Sequence, residues 1–231
     1  MIRAGSMDRL VQQRQFQQRY RQGIGPHYHG YGHGICVLAI GLGIIGYCVW
    51  KLELTNCQPL LTVVAALIIA NGLEYFAHRQ LGHKRTRILP LFYERHSGEH
   101  HRFFTHLDPL WRDHRDWRVV LFPLYLIVAV ATANGAVAWG LSLLFGPAVG
   151  YLWLMTTVAA YLWYEVAHFC WHLPEQSWVF RIGFLRRMRL RHLIHHHPSM
   201  MNRVNFNITW PLFDYLLGTD SLNSQMMNTK G

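Results

Sequence analysis

Residues 119–172 read VVLFPLYLIVAVATANGAVAWGLSLLFGPAVGYLWLMTTVAAYLWYEVAHFCWH. No Asp, Glu, Lys or Arg occurs between Val119 and Tyr164. A helix crosses the hydrocarbon core of a bilayer with about 20 residues, so this run is too long for one crossing and right for two. Gly146-Pro147 is the best turn between them, with Asn134-Gly135 as the alternative. The second crossing ends in Glu165, His168 and His172. The two imidazoles lie four residues apart and so share one helix face.

The chain upstream repeats the design. Apolar stretches cover residues 34–50 and 60–77, joined by the polar loop KLELTNCQP. Each is near the minimum length for a crossing. The predicted fold is therefore all-α and polytopic, with about four transmembrane helices in two hairpins. The first 33 residues form a basic, Gln-rich arm that reads as a loose or interfacial lead-in. They contain no apolar core of a cleavable signal. The basic, apolar stretch SWVFRIGFLRRMRLRHLI after the last crossing reads as a helix lying in the headgroup plane.

The composition agrees. Hydrophobic residues make up 51% of the 231 and charged residues only 15%, which is low for a soluble domain. The formal net charge of +10 suits nucleic acid or a membrane face, but the basic residues sit beside the apolar spans and no nucleic-acid recognition motif is present. The four cysteines form no CxxC pair and read as small buried apolar side chains, with no disulfide frame or zinc knuckle. Five Lys and Arg precede the first span, nine lie within residues 78–118 and seven follow residue 172; only Lys51 lies in a hairpin loop. The positive-inside rule then places both termini and the central segment in the cytoplasm. All the polar histidine-bearing segments share that face.

Those segments hold four clusters: His78-x4-His83, His96-x3-His100-His101, His168-x3-His172 and His192-x2-His195-His196. Imidazole ligates transition metals while staying neutral near pH 7. One tetrahedral ion needs four ligands, so ten histidines suffice for two. On a regular helix His78 and His83 diverge by about 140°, and Gly82 could supply a break. Neighbours such as His100 and His101 project about 100° apart and can reach different ions. His197 extends the last cluster, so His192-x3-His196-His197 is an equally allowed register. Glu74 and Glu165 each lie one turn before a histidine and are suited to accept its second ring proton. His27, His29, His33, His106 and His114 read as surface or juxtamembrane residues.

Imidazoles with few carboxylates suit iron, copper or zinc alike. A redox pair that activates O₂ explains why two ions sit against a membrane, because a lipid C–H bond far from any polar handle resists acid–base chemistry. No dinucleotide-binding glycine motif, phosphate loop or nucleophile elbow competes for the chemistry. The competing reading is a non-catalytic histidine-rich protein that binds or transports metal. A transporter should carry polar groups through the bilayer centre, whereas Val119 to Tyr164 carries no charge.

EYFAHRQLGH, ERHSGEHHRFFTH, AHFCWH and RHLIHHHP…NFNITWPLFDYLLGT resemble, in this order, the boxes of the fatty acid hydroxylase/sterol desaturase superfamily. The resemblance spans about residues 60–220. It implies a bundle of transmembrane helices under a cytosolic helical cap, and two iron ions held by His78, His83, His96, His100, His101, His168, His172, His192, His195 and His196. It further implies O₂ as cosubstrate and a fatty acyl, sterol or related membrane lipid as the substrate that is hydroxylated or desaturated. With no room for a fused cytochrome b5 domain, electrons are expected from a separate carrier, such as a cytochrome b5, a ferredoxin or a reductase. Asn205 and Asp214, in the closing motif, are expected to steady the last histidines. The expected organisation is an arm (1–33), a hydroxylase-like membrane domain (34–220) and a tail (221–231), integral to the membrane with its active site on the cytoplasmic face.

Overall fold

The computed structural model of the chain describes residues 4–87 and 89–222; most of the expected tail therefore lies outside the described residues. Ten helices occur among the described residues, and no strand. In chain order they are α1 (Ala4–Gln22), α2 (Gly30–Lys51), α3 (Leu61–Phe76), α4 (Pro90–Tyr93), α5 (His101–Phe103), α6 (Trp117–Val120), α7 (Tyr125–Phe145), α8 (Pro147–Trp171), α9 (Gly183–His195) and α10 (Leu212–Leu216). Helix α3 runs on through a π-helical turn, Ala77–Gly82, and a second π-helical turn, Glu94–His100, joins α4 to α5.

Three helices are long and apolar enough to cross a membrane: Gly30–Lys51, Leu61–Gly82 and Tyr125–Phe145. Their outward side chains are large and apolar; Trp139 is 70% and Leu144 75% exposed. So much bare hydrocarbon on a folded surface calls for a lipid environment. Helix α8 is as long, but its Tyr, Trp and Glu side chains lower its apolarity, and it lies at the centre: α2, α3 and α7 all pack on it. The turn between α7 and α8 falls at Gly146, whose φ of +93° an L side chain rarely adopts. Asn134-Gly135, the alternative turn, lies inside α7.

The N-terminal arm differs from its expectation. Residues 4–22 form a helix docked over α5. Gln13 and Gln17 are buried and donate to the Phe103 carbonyl at 2.8 Å each, and Gln13 also to the Asp108 carbonyl at 2.7 Å. Carbonyls at the end of a helix have no partner within it. Glutamine amides satisfy one here, which explains a Gln-rich arm better than looseness does. Arg21 adds a bidentate pair with buried Asp116. The cysteines are also less buried than expected: only Cys48 is in the core, and Cys36 and Cys57 are exposed.

Candidate metal centre

The four clusters meet at one end of the bundle. His78, His83, His96, His101 and His195 bring one ring nitrogen each within 4.8 Å of one another; His100, His172, His192 and His196 do the same beside them. His168 joins the second nest through its Nε2, 3.0 Å from that of His100. All ten sequence-selected histidines are thus brought together. His197 is not: it is exposed and packs against His106, with ring centroids 4.3 Å apart.

The backbone explains the sharing. A π-helix has an i→i+5 hydrogen-bond pattern, so residues five apart come onto one face. The turn Ala77–Gly82 therefore turns His78 and His83 toward the same nest, and Glu94–His100 does so for His96 and His101. His96 and His100, four residues apart, fall in different nests. Gly82 is required by close approach, since a Cβ there would lie 2.9 Å from His96 Cδ2. The second nest uses regular helices instead, with His168 and His172 at the end of α8, and His192 and His196 at the end of α9. The adjacent pairs His100–His101 and His195–His196 each place one ring in either nest.

The rings are oriented by backbone carbonyls. His100, His172 and His196 donate from Nδ1 to Val119, Pro109 and Phe104 carbonyls at 3.0, 2.8 and 2.5 Å. His78 and His195 donate to Phe206 and Val204 carbonyls at 2.6 and 2.8 Å. A carbonyl only accepts, so in the neutral ring Nδ1 carries the proton and Nε2 a bare lone pair. The Nε2 atoms of His100 and His196 are nonetheless 3.2 Å apart. Lone pair faces lone pair. Adding protons is no remedy, because burial, followed by repulsion from neighbouring imidazoles, holds the His100, His101, His192 and His196 pKa values well below the ordinary imidazole value.

A metal ion would resolve the conflict. With metal–nitrogen bonds of about 2.1 Å, ligands at right angles lie about 3.0 Å apart. The Nε2 separations of 3.0 Å for His83–His195, 3.2 Å for His83–His96, 3.0 Å for His96–His101 and 2.9 Å for His192–His196 match that edge. His78 Nε2 has no hydrogen-bond partner at all. The donor set is all nitrogen, which fits iron, copper or zinc.

The two carboxylates are placed differently from expectation. Glu74 accepts from the backbone N–H of Ile208 and, at 3.0 Å, of Thr209, and from the Thr209 hydroxyl at 2.5 Å. Glu165 accepts from the Tyr161 hydroxyl at 2.6 Å and the Phe122 N–H at 3.3 Å. Neither hydrogen-bonds to a histidine. Asn205 and Asp214 act at one remove. Asn205, at φ +59°, donates to the Arg191 carbonyl and to Ser221 Oγ. Asp214 holds the N–H groups of Phe206 and Asn207 at 2.9 and 2.8 Å. They thereby fix the loop whose carbonyls orient His78 and His195.

A cavity of about 780 Å³ leads from His78 and His96 into the bundle, between α3, α7 and α8. Its lining is mainly aliphatic and aromatic, with Asn71, Glu74 and Thr209 near the histidines. Sequence patterning does not disclose this cavity, because its wall residues read as ordinary lipid-facing or core positions.

Comparison with curated proteins and with solved structures yields no match. A family model described as fatty acid hydroxylase matches residues 63–219, a segment that holds all ten histidines, both π-helical turns and the loop that orients them. The chain belongs to the fatty acid hydroxylase family.

Proposed function

We propose that the protein is an O₂-dependent di-iron oxidoreductase that hydroxylates or desaturates a C–H bond of a membrane lipid. The observation that carries this reading is the pair of nests in which bare Nε2 lone pairs converge without protons to separate them. His78, His83, His96, His101 and His195 would hold one iron, and His100, His168, His172, His192 and His196 the other. Bound iron would supply the activation of O₂ that a C–H bond demands.

The chain's own groups do the rest. The apolar cavity ends at His78 and His96, so it would bring a hydrocarbon chain to the nests and exclude water from them. Carbonyls of Val119, Pro109, Phe104, Phe206 and Val204 fix the ring tautomers, as outer-shell partners of metal ligands do. Helix α8 would be the fourth crossing, its 25 residues spanning about 37 Å. The distribution of Lys and Arg would place the nests on the cytoplasmic side. The basic surface there suits an acidic separate electron carrier, whether a cytochrome b5, a ferredoxin or a reductase.

The test is metal analysis of the purified protein together with lipid profiling of cells with and without the gene under oxygen. Two irons per chain and an oxygen-dependent oxidised lipid are expected. His168→Ala should lose the iron of the second nest and the oxidised lipid while still inserting into the membrane. Full activity with two irons retained in that variant would defeat the ligand assignment.

A further inference from the structure

The cavity that reaches the histidines has a neighbour in the bundle. A second, of about 690 Å³, lies where the hairpins turn; it is lined by Lys51, Glu53, Thr55 and Asn56 and by the Gly146–Pro147 turn. Among the described residues only Trp153 lines both. Its indole N–H donates to Asn134 Oδ1 at 3.1 Å, and the Asn134 amide donates to the Val130 carbonyl at 2.9 Å. Both partners lie on α7, so the ring is pinned across the gap between α7 and α8. Hydrogen-bonding residues are scarce in such a helix pair, and a pinned aromatic ring is a rigid obstacle.

We propose that Trp153 is the end-stop of the lipid cavity and sets the longest hydrocarbon chain the site accepts; this rests on the lipid-oxidising reading above. Trp153 lies fifteen residues before His168 on one helix, or about 22 Å along its axis. Asn71, Glu74 and Thr209 make the end nearest the histidines polar, while Asn134, at the far end, is engaged by the Trp153 indole. A substrate with a hydroxyl or N–H head would therefore set that head near Glu74 and the histidines, and run its tail toward Trp153. Removing the indole would join the two cavities into one.

The probes are straight-chain primary alcohols, from decanol to eicosanol, offered to the full-length protein in lipid nanodiscs. Binding is read by thermal shift, with Trp153→Ala, Trp153→Leu and Trp153→Phe as variants. The wild type should bind with increasing strength up to a limiting length and then lose binding. Trp153→Ala should move that limit several carbons longer, with at least about a tenfold gain for the first alcohols past the wild-type limit. Trp153→Leu serves the same purpose if the alanine variant fails to fold, and Trp153→Phe should keep a limit near that of the wild type. An unchanged limit in the alanine and leucine variants, or no limit in the wild type, would overturn the end-stop. If the limit shifts but the wild type yields no oxygen-dependent lipid product, the end-stop stands and the oxidase reading fails.

Discussion

The two imidazole nests face each other across shared peptide bonds, yet they are built on different backbones. The first is assembled mainly from π-helical turns, with His101 from α5 and His195 from the end of α9, and it lines the apolar cavity through His78 and His96. The second is assembled from the last turns of α8 and α9, with His100 added, and all its rings are buried. Their supports differ too. The carbonyls behind the first belong to residues 204–206, held by Asn205 and Asp214. Those behind the second belong to Phe104, Pro109 and Val119. The side that opens on the cavity relies mostly on the rarer helix geometry, which is common at functional sites, while the regular helices supply most of the fully buried partner.

The largest expected effect removes a ring outright. His101→Ala should empty the first nest and His196→Ala the second. Each should lower turnover by more than the roughly 10–100-fold typical of losing an outer-shell partner. Metal content per chain, measured on both variants, tests whether the nests load independently.

Acid should unfold the metal-free cap. Burial depresses the pKa values of His96, His100, His101, His172, His192, His195 and His196. In the unfolded chain they protonate near pH 6.5, so below that pH the unfolded state binds more protons and is favoured. The stability these groups contribute is present above pH 6.5 and falls as pH drops, by up to about 1.4 kcal/mol per pH unit for each. Thermal melting of chelator-treated protein between pH 5 and 8 should show that slope, and iron loading should raise stability without removing the slope, because metal-bound imidazoles also take up no protons.

A smaller effect should fall on one side only. Gly82→Ala would press a methyl group against His96 Cδ2 and, at 3.3 Å, His78 Cδ2. Iron in the first nest should fall while the second stays loaded, as metal stoichiometry would report. Equal loss from both would mean that the turn supports the cap as a whole. The mildest change is Asp214→Asn, which keeps the shape but weakens charge-assisted bonds to the Phe206 and Asn207 N–H groups. Iron affinity of the first nest should drop about tenfold, measured by chelator competition, with the second unaffected.

Much of this was legible in the chain. The charge-free run from Val119 to Tyr164 disclosed the α7–α8 hairpin and its turn at Gly146, because bilayer thickness fixes span length. The ten histidines were legible because imidazole spacing follows helix geometry. The π-helical turns were not read, although the same spacing, His78-x4-His83 and His96-x4-His101, was their signal; the regular helix was the assumed frame. Glu74 and Glu165 misled for a related reason. Being one turn from a histidine fixes their azimuth on the helix, but their partners, Thr209 and Tyr161, came from packing that one-dimensional spacing does not contain. The Gln13 and Gln17 clamp was hidden in the same way, since its carbonyl partners at Phe103 and Asp108 are some ninety residues distant.

The neighbouring pairs His100–His101 and His195–His196 have one more consequence. Each sends its two rings to opposite nests, and His101 stacks on His196 with centroids 4.3 Å apart. Consecutive Cα atoms are a fixed 3.8 Å apart, so covalent chain, used twice, gauges how far apart the two ions can settle. No carboxylate belongs to either nest among the described residues. The separation of any two ions held there is written into the polypeptide itself, and a change in their oxidation state would have to be absorbed by ring tilt, with little scope for drift.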